Sequence, residues 1–197
     1  TLLISDEVQT GWGRTGEHFW GYQAHGITPD MLTFAKGVGN GITLAGVVAR
    51  AEIMENVTAL NFSTFGGNPL SAAAGLATFR EVKEKDMQGN ALDMGKRLKS
   101  GLEEVASTTS WIGDLRGRGL MVALEIVGTD SGSGNTEPYP ERAAEFLEAC
   151  KDHGLLLGKG GAYGNVIRIT PMLNATASEI DEGIKAISAA IKAIGNS

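Results

Sequence analysis

The stretches Leu2-Leu3-Ile4-Ser5-Asp6 and Met31-Leu32-Thr33-Phe34-Ala35-Lys36 decide the fold that the sequence predicts. Each is a short apolar run that ends at a charged residue, and such runs are typical of buried strands in a mostly parallel sheet. Ligands of open α/β sheets bind beyond the carboxyl ends of the strands. We therefore expect the Asp6 carboxylate and the Lys36 amine to lie at a ligand site.

An amine and a carboxylate at neighbouring strand ends are the pair that pyridoxal phosphate (PLP) needs. The Lys36 amine would form the Schiff base, and the Asp6 carboxylate would keep the ring nitrogen protonated so that the ring accepts electrons. Lys36 also precedes the glycine-rich loop 37–41, which lets a bulky ligand approach closely. Taken alone, Lys36 would indicate a solvated lysine and Asp6 a structural acid; only their combination favours a cofactor site.

The composition indicates a globular protein of 197 residues, 42% hydrophobic and 20% charged. A net charge of -6, without a cluster of Lys and Arg, argues against nucleic acid and anionic membrane surfaces as partners. The single cysteine, Cys150, favours a reducing compartment, which we expect to be the cytoplasm or, in a eukaryote, the mitochondrial matrix. No apolar stretch approaches the roughly 18 residues of a membrane span. Because Thr1 lies directly in an apolar run, we expect the chain to be the carboxyl-terminal part of a longer protein.

Hydrophobic periodicity predicts an α/β protein with two parts, a sheet-based part over residues 1–88 and a smaller α+β part over residues 89–197. In the first part we predict strands over 1–5, 31–35 and 42–49. A helix then runs from Asn68-Pro69 to Lys85, with its inner side formed by Leu70, Ala73, Ala77 and Val82. In the second part we predict helices over 89–106 and 140–153 and strands over 120–127, 155–157 and 166–169. The predicted inner stripes are Leu92, Gly95, Leu98, Leu102 and Val105 in the first of these helices, Ala143, Phe146, Leu147 and Cys150 in the second, and Ile180, Ile184, Ile187, Ile191 and Ile194 in the last helix of the chain. A surface loop over Gly128–Pro140 and a last helix opened by the capping box Thr176 to Glu179 complete this part.

Two glycine-rich segments resemble nucleotide-binding loops but differ from them in context. Gly11-Trp12-Gly13-Arg14-Thr15-Gly16 matches G-x-G-x-x-G, yet no long helix is predicted after it, so we reject a dinucleotide site. Lys36 precedes its glycines instead of following them, which excludes a nucleotide P-loop. The segment Ser63–Pro69 offers hydroxyls and backbone amides before a helix start, so it predicts either a phosphate pocket or a simple helix cap.

Arg168 is the remaining candidate for a ligand contact, whereas no metal site is expected. It interrupts the apolar strand Val166-Ile167-Arg168-Ile169, which suits either an ordinary edge residue or a bidentate grip on a substrate carboxylate. The three histidines, His18, His25 and His153, have no metal-ligand spacing.

Five ordered motifs together resemble the carboxyl-terminal half of class III (ornithine/4-aminobutyrate type) aminotransferases, which are PLP enzymes of fold type I. The motifs are Asp6-Glu7-Val8-Gln9-Thr10-Gly11-Trp12-Gly13-Arg14-Thr15-Gly16, Thr33-Phe34-Ala35-Lys36-Gly37, Thr64-Phe65-Gly66-Gly67-Asn68-Pro69, Arg116-Gly117-Arg118-Gly119-Leu120-Met121 and Arg168-Ile169-Thr170-Pro171. The resemblance runs from Leu3 to near Ile194. Within the family, the segments His18–Gln23 and Lys36–Gly41 look most like the type 2 alanine–glyoxylate aminotransferases.

The resemblance implies a role for each matching residue. Four residues would contact the cofactor of their own subunit: Asp6 at the pyridine nitrogen, Val8 on the ring face, Gln9 near the ring hydroxyl and Lys36 at the aldehyde carbon. Lys36 would then act as the base that moves a proton from the substrate. Thr64 would contact the cofactor phosphate of the neighbouring subunit in a homodimer, and Arg168 would hold the substrate carboxylate.

The implied reaction is transamination from an amino acid or ω-amino acid donor to a 2-oxo acid such as pyruvate, glyoxylate or 2-oxoglutarate. The family's amino-terminal half carries further cofactor and substrate contacts, so we expect the 197 residues alone to be inactive. Two alternatives stay open: another fold-type-I PLP enzyme, such as an aminomutase or a decarboxylase, and a truncated chain that binds no cofactor.

Overall fold

A computed structural model of the chain describes residues 1–129 and 136–195. The chain divides into two compact units, Thr1–Gly89 (unit 1) and Asn90–Ser197 (unit 2). Helix α3 (Met87–Ala106) contains the boundary between them.

Unit 1 contains a three-stranded sheet with the order β1-β2-β3. Its strands are β1 (Ile4–Asp6), β2 (Met31–Phe34) and β3 (Gly46–Ala49), and its helices are α1 (Ala51–Met54) and α2 (Pro69–Glu84). Strand β1 runs parallel to β2, and β3 runs antiparallel to β2, so this part of the sheet is mixed. Two short 3-10 helices, Gly21–His25 and Lys36–Gly39, lie in the connections.

The predicted burial of the first strand was wrong. Strand β1 begins only at Ile4, and the side chains of Leu2, Leu3 and Ile4 remain 54%, 45% and 54% exposed. Because β1 is the outer strand of the three, its side chains have strand neighbours on one side only. The third strand is also shorter than predicted, since the Ile42 amide donates to the Gly39 carbonyl and residues 42–45 continue the preceding loop.

The predicted inner face of α2 was mostly wrong. The buried residues are Ser71, Gly75 and Val82, whereas Leu70 is 71% exposed. A side chain at Gly75 would overlap the Leu44 side chain, so only a glycine lets the helix approach this closely. The face of α2 with the small residues therefore packs against the loop that follows Lys36. The face with the leucines, which hydrophobicity alone favours, does not.

Unit 2 is built on an antiparallel sheet with the order β4-β5-β8-β7. Its strands are β4 (Ile112–Arg118), β5 (Met121–Thr129), β6 (Thr136–Pro138), β7 (Gly158–Gly160) and β8 (Val166–Ile169); its helices after α3 are α4 (Pro140–Asp152) and α5 (Ala177–Ile194). Residues 130–135 of the predicted loop Gly128–Pro140 lie outside the described residues. The two ends of the predicted loop are strand instead of loop, because β6 pairs with β5. Strand β4 was not predicted.

The core of unit 2 follows the predicted helix stripes closely. Leu98 and Leu102 of α3, Phe146 of α4 and Ile187 of α5 are 2% exposed or less. The predicted capping box opens α5, with the Glu179 amide donating to Thr176 Oγ1 at 3.3 Å and the Thr176 amide donating to Glu179 Oε2 at 2.7 Å. The strand predicted over 155–157 was misplaced, since β7 begins at Gly158.

Candidate active site

Asp6 and Lys36 lie at the same edge of the unit 1 sheet. Asp6 ends β1 and pairs with Thr33 in the parallel register, and Lys36 follows Thr33 by three residues. Asp6 therefore lies one strand spacing, about 4.8 Å, from the strand that leads to Lys36, and Lys36 comes three residues after the partner of Asp6. Both side chains are exposed. The carboxylate and the amine thus face solvent beyond the carboxyl ends of two adjacent parallel strands, where open α/β sheets bind ligands.

The backbone at Lys36 adopts a conformation that is uncommon for a residue with a side chain. Its φ is 51°, in the left-handed region, and it starts the 3-10 helix that Asn40 closes with a φ of 44°. Such a conformation costs on the order of 1 kcal/mol and concentrates at functional sites. A Cβ added at Gly37 or Gly41 would meet no atom within 4 Å, so the loop has open space beside it. This space and the position of the amine suit a bulky ligand.

Asp6, Val8 and Gln9 belong to one tight turn. The Val8 amide donates to Asp6 Oδ1 at 3.1 Å, which fixes the carboxylate relative to the turn that follows it. Val8 is half-buried and Gln9 is exposed. Three of the residues to which the resemblance gives a cofactor contact therefore lie together, at the last residue of β1 and in the turn directly after it.

Glu7 points to the opposite face of the strand and is only 2% exposed. Its Oε1 accepts hydrogen bonds from Ser5 Oγ at 2.9 Å and the Tyr22 amide at 2.7 Å. Its Oε2 accepts from Thr10 Oγ1 at 2.5 Å and the Gly21 amide at 2.7 Å. Burial alone would raise the pKa of Glu7, but the four hydrogen bonds outweigh burial and hold the pKa below its ordinary value.

Sequence reasoning missed this role of Glu7. The alternation of side chains along a strand separates Glu7 from Asp6, but no partner of Glu7 was predicted. The hydroxyls of Ser5 and Thr10 were a local signal that could have been used. The amides of Gly21 and Tyr22, 14 and 15 residues away, were not predictable from spacing.

An aromatic cluster holds the glycine-rich segment that follows this turn. Trp12, with a φ of 64°, contacts Phe34 at a ring-centroid distance of 5.5 Å and also packs edge-on with Phe19, Trp20 and Phe79. Phe34 ends β2 just before Ala35 and Lys36. Only the five-residue 3-10 helix Gly21–His25 follows the glycines, which agrees with the rejection of a dinucleotide site.

Thr64 lies exposed in the connection between α1 and α2. The polar groups after it form a helix cap: Asn68 Oδ1 accepts from the Ser71 amide at 2.9 Å, and Asn68 Nδ2 donates to the Phe65 carbonyl at 2.8 Å. Of the two predictions for this segment, the cap is therefore present, and the Thr64 hydroxyl lies outside it.

Arg168 lies in unit 2, on the exposed face of β8 between the buried residues Ile167 and Ile169. In the register across the sheet it is flanked by Ala123 and Gly158, two small residues. A Cβ at Gly158 or Gly160 would lie 3.4 to 3.6 Å from nitrogen atoms of its guanidinium, so the side chain extends along β7. Glycines on β7 therefore leave the room that the guanidinium occupies.

Two other kinds of site find no support in the described residues. No group of three or more His, Cys, Asp or Glu side chains there could hold a metal ion. Cys150 is fully buried, and burial raises the pKa of its thiol to about 12, so it is no thiolate nucleophile.

Over residues 1–129 and 136–195, no helix has both the length and the apolar character needed to cross a membrane.

The family model "Aminotransferase class-III" matches residues 1–191. The chain belongs to the class-III aminotransferase family. It is 42% identical over 187 residues to the mitochondrial alanine–glyoxylate aminotransferase 2 homolog 2 of Arabidopsis thaliana, covering 94% of this chain and 38% of that protein. It is 39% identical over 191 residues to an alanine/serine racemase of Pyrococcus horikoshii, covering 97% and 39%. A phospholyase from Arthrobacter, solved in complex with phosphoethanolamine, superimposes with a TM-score of 0.91 at 35% identity, covering 98% of this chain and 46% of that one.

The class-III chain thus has the fold of PLP-dependent fold-type-I enzymes, and it spans less than half the length of these relatives. PLP is the cofactor of class-III aminotransferases. The residues at the edge of the unit 1 sheet fit PLP. The amine suits its aldehyde, the carboxylate suits its ring nitrogen, and the open glycine loop leaves room for a molecule of its size.

Proposed function

We propose that the protein to which this chain belongs is a PLP-dependent transaminase that transfers an amino group from an amino acid or ω-amino acid to a 2-oxo acid. The observation that carries the proposal is that Asp6 ends β1 and Lys36 follows shortly after the end of β2, the adjacent parallel strand. A family match over residues 1–191 supports it. The name of the alanine–glyoxylate relative favours alanine as the donor and glyoxylate as the acceptor, and pyruvate and 2-oxoglutarate are the other candidate acceptors.

Each residue has a defined task in this proposal. When bound, PLP supplies an aldehyde for amine condensation and a ring that takes up electrons. The Lys36 Nζ atom would hold PLP at its aldehyde carbon and, once the substrate amine has displaced it there, would accept the proton that leaves the substrate Cα. The Asp6 carboxylate would pair with the ring nitrogen, Val8 would pack on the ring face and Gln9 would bind the ring hydroxyl. Arg168 binds the substrate carboxylate through its planar pair of donors.

The remaining parts of the proposal concern what lies outside the chain. Residues 1–88 form part of a PLP-binding large domain, and residues 89–197 form the small domain. An amino-terminal half supplies the other cofactor contacts, so the 197 residues alone are inactive. The enzyme is a homodimer in which Thr64 binds the cofactor phosphate of the partner subunit. It works in the cytoplasm or in the mitochondrial matrix; the Arabidopsis relative is named as a mitochondrial protein.

The test is a near-ultraviolet to visible spectrum with added PLP, recorded on the chain and on a full-length protein that contains it. We expect a visible band from the lysine-bound cofactor that Lys36→Ala abolishes and that the exposed control Lys85→Ala retains. An amino donor should bleach the band of the full-length protein, and a 2-oxo acid should restore it. A band that survives in Lys36→Ala would contradict the proposal.

A second function deserves a test because two similar proteins carry other names, a racemase and a phospholyase. A racemase or lyase would turn over its substrate without any 2-oxo acid. We expect a full-length protein to convert an amino donor catalytically only when a 2-oxo acid is present. Sustained turnover in its absence would favour the second function.

A further inference from the structure

The buried carboxylate of Glu7 joins three segments around the cofactor-binding turn. Its hydrogen bonds reach back to Ser5 in β1, forward to Thr10 and across to the amides of Gly21 and Tyr22 at the start of the 3-10 helix. Its own backbone takes part as well, because the Glu7 amide donates to the Thr33 carbonyl at 2.9 Å. One residue thus connects the end of β1, the strand that leads to Lys36 and the segment beyond the turn.

Both carboxylate oxygens are fully used by neutral donors. Each oxygen accepts one hydroxyl and one backbone amide, at distances from 2.5 to 2.9 Å. Hydrogen bonds to an ionised acceptor are roughly twice as strong as those between neutral groups, so the arrangement is rigid. The surroundings leave little freedom: a Cβ at Gly21 would lie 2.7 Å from Thr10 Cβ and 3.1 Å from Glu7 Oε2.

The turn that this carboxylate braces contains Asp6, Val8 and Gln9. Asp6 immediately precedes Glu7, and the Gly11 amide donates to the Glu7 carbonyl at 3.0 Å, which closes the turn on its far side. A side chain that contacts a ligand is effective only when its own geometry is fixed by a supporting shell. We propose that Glu7 is a positioning residue, which holds Asp6, Val8 and Gln9 in the arrangement that binds PLP. This inference rests on the proposed function.

The substitution Glu7→Gln tests the idea with almost no change of shape. Because each oxygen accepts a backbone amide, the new NH2 group must face an N–H donor whichever way the side chain is oriented. We expect the PLP dissociation constant of the full-length protein to rise at least tenfold, by analogy with supporting residues of metal ligands. The pH midpoint of the visible band should also shift, because a looser Asp6 holds the ring-nitrogen proton less firmly. Glu55→Gln, an exposed glutamate of unit 1, should change neither quantity.

A milder pair of variants keeps the test valid if Glu7→Gln folds poorly. Thr10→Val removes one hydroxyl donor to Oε2, whereas Thr10→Ser retains it. We expect Thr10→Val to weaken PLP binding several-fold and to speed hydrogen exchange of amides 8–11 in the cofactor-free protein. Thr10→Ser should restore both values to those of the wild type.

The outcomes separate the two proposals. Unchanged PLP affinity and an unchanged band midpoint in folded Glu7→Gln and Thr10→Val would overturn the positioning role alone. A wild-type protein without a Lys36-dependent band would overturn the proposed function, and the positioning role with it. Lower thermal stability with normal cofactor binding would show that Glu7 only supports the fold, and would also overturn the inference.

Discussion

The two units differ in how completely they bury their apolar side chains. Unit 2 encloses Leu102, Phe146 and Ile187 at 0% exposure, within a continuous cluster drawn from α3, α4, α5 and the sheet. Among the described residues, unit 1 leaves Leu60, Phe62 and Phe65 exposed at 96%, 79% and 82%. A monomeric protein rarely exposes a large apolar patch, and such patches mark interaction surfaces. The difference indicates that unit 2 carries its own core, whereas unit 1 exposes apolar surface of the kind that marks an interaction site.

The lengths of the relatives give this difference a meaning. The chain spans 38% of the Arabidopsis relative and 46% of the Arthrobacter structure. Unit 1 also holds Asp6 and Lys36, so the unit to which the proposed function gives the chemistry is also the one with the larger exposed apolar surface. Its exposed apolar residues include Ile4 of β1, Val47 and Val48 of β3, Leu70 of α2, and Phe62 and Phe65 in the connection that contains Thr64. The amino-terminal half and the partner subunit proposed above are the surfaces that we expect to cover them.

The largest expected effect comes from removing matched aromatic side chains, one from each unit. Phe146→Ala deletes a fully buried ring of unit 2 and should lower the free energy of unfolding by about 3–5 kcal/mol. Phe65→Ala removes a ring that is 82% exposed and should change the free energy of unfolding by less than about 0.5 kcal/mol in the isolated chain. Urea unfolding followed by circular dichroism measures both. Equal losses would contradict the contrast between the units.

Hydrogen exchange should reveal the same contrast without any substitution. In the isolated chain, we expect the amides of β5 and α5 to be protected at least about 100-fold more than those of β2 and α2, because protection follows buried apolar contacts. Mass spectrometry of peptic peptides resolves the four segments. In the full-length protein the protection of β2 and α2 should rise toward that of unit 2. Similar protection in both units of the isolated chain would show that unit 1 is stable without contacts from other protein surfaces.

The pH dependence of unit 1 should depend on Glu7. Its pKa in the folded state is lowered, so its stabilising contribution is complete above the unfolded pKa and is lost as the pH falls through the folded pKa. The ordinary value is 4.5, so the loss occurs below about pH 4.5. At pH 7, Glu7→Gln should destabilise unit 1 by about 2 kcal/mol. The stabilities of Glu7→Gln and the wild type should become equal in acid.

Hydrogen exchange of residues 7–22 between pH 7 and pH 3 measures this effect, once the rates are corrected for the intrinsic pH dependence of exchange. The exposed control Glu55→Gln should follow the wild type throughout. A constant difference between Glu7→Gln and the wild type at all pH values would show that the Glu7 charge is not responsible.

Local patterns predicted the parts of the molecule whose structure depends on neighbours in sequence. The stripes of α4 and α5, strand β8 and the capping box at Thr176 follow from helical or strand periodicity and were confirmed. The face of α2 could not be predicted this way, because Gly75 is buried by a close approach to Leu44, 31 residues earlier. The same limit applies at the site: the two strand ends followed from apolar runs, but the Glu7 bonds to Gly21 and Tyr22 depend on a long loop.

The smallest expected effect compares one side-chain helix cap from each unit. Thr176 Oγ1 caps α5 in unit 2, and Asn68 Oδ1 caps α2 in unit 1 by accepting from the Ser71 amide. Replacing a cap by alanine costs about 1 kcal/mol in either place, since the orphaned amide must find another acceptor. Thr176→Ala should therefore lower the urea midpoint of the whole of unit 2, because α5 belongs to a closed core. Asn68→Ala should raise hydrogen exchange only within the first turns of α2, because an uncovered unit opens locally first. A urea midpoint that falls for Asn68→Ala as much as for Thr176→Ala would mean that unit 1 unfolds as cooperatively as unit 2.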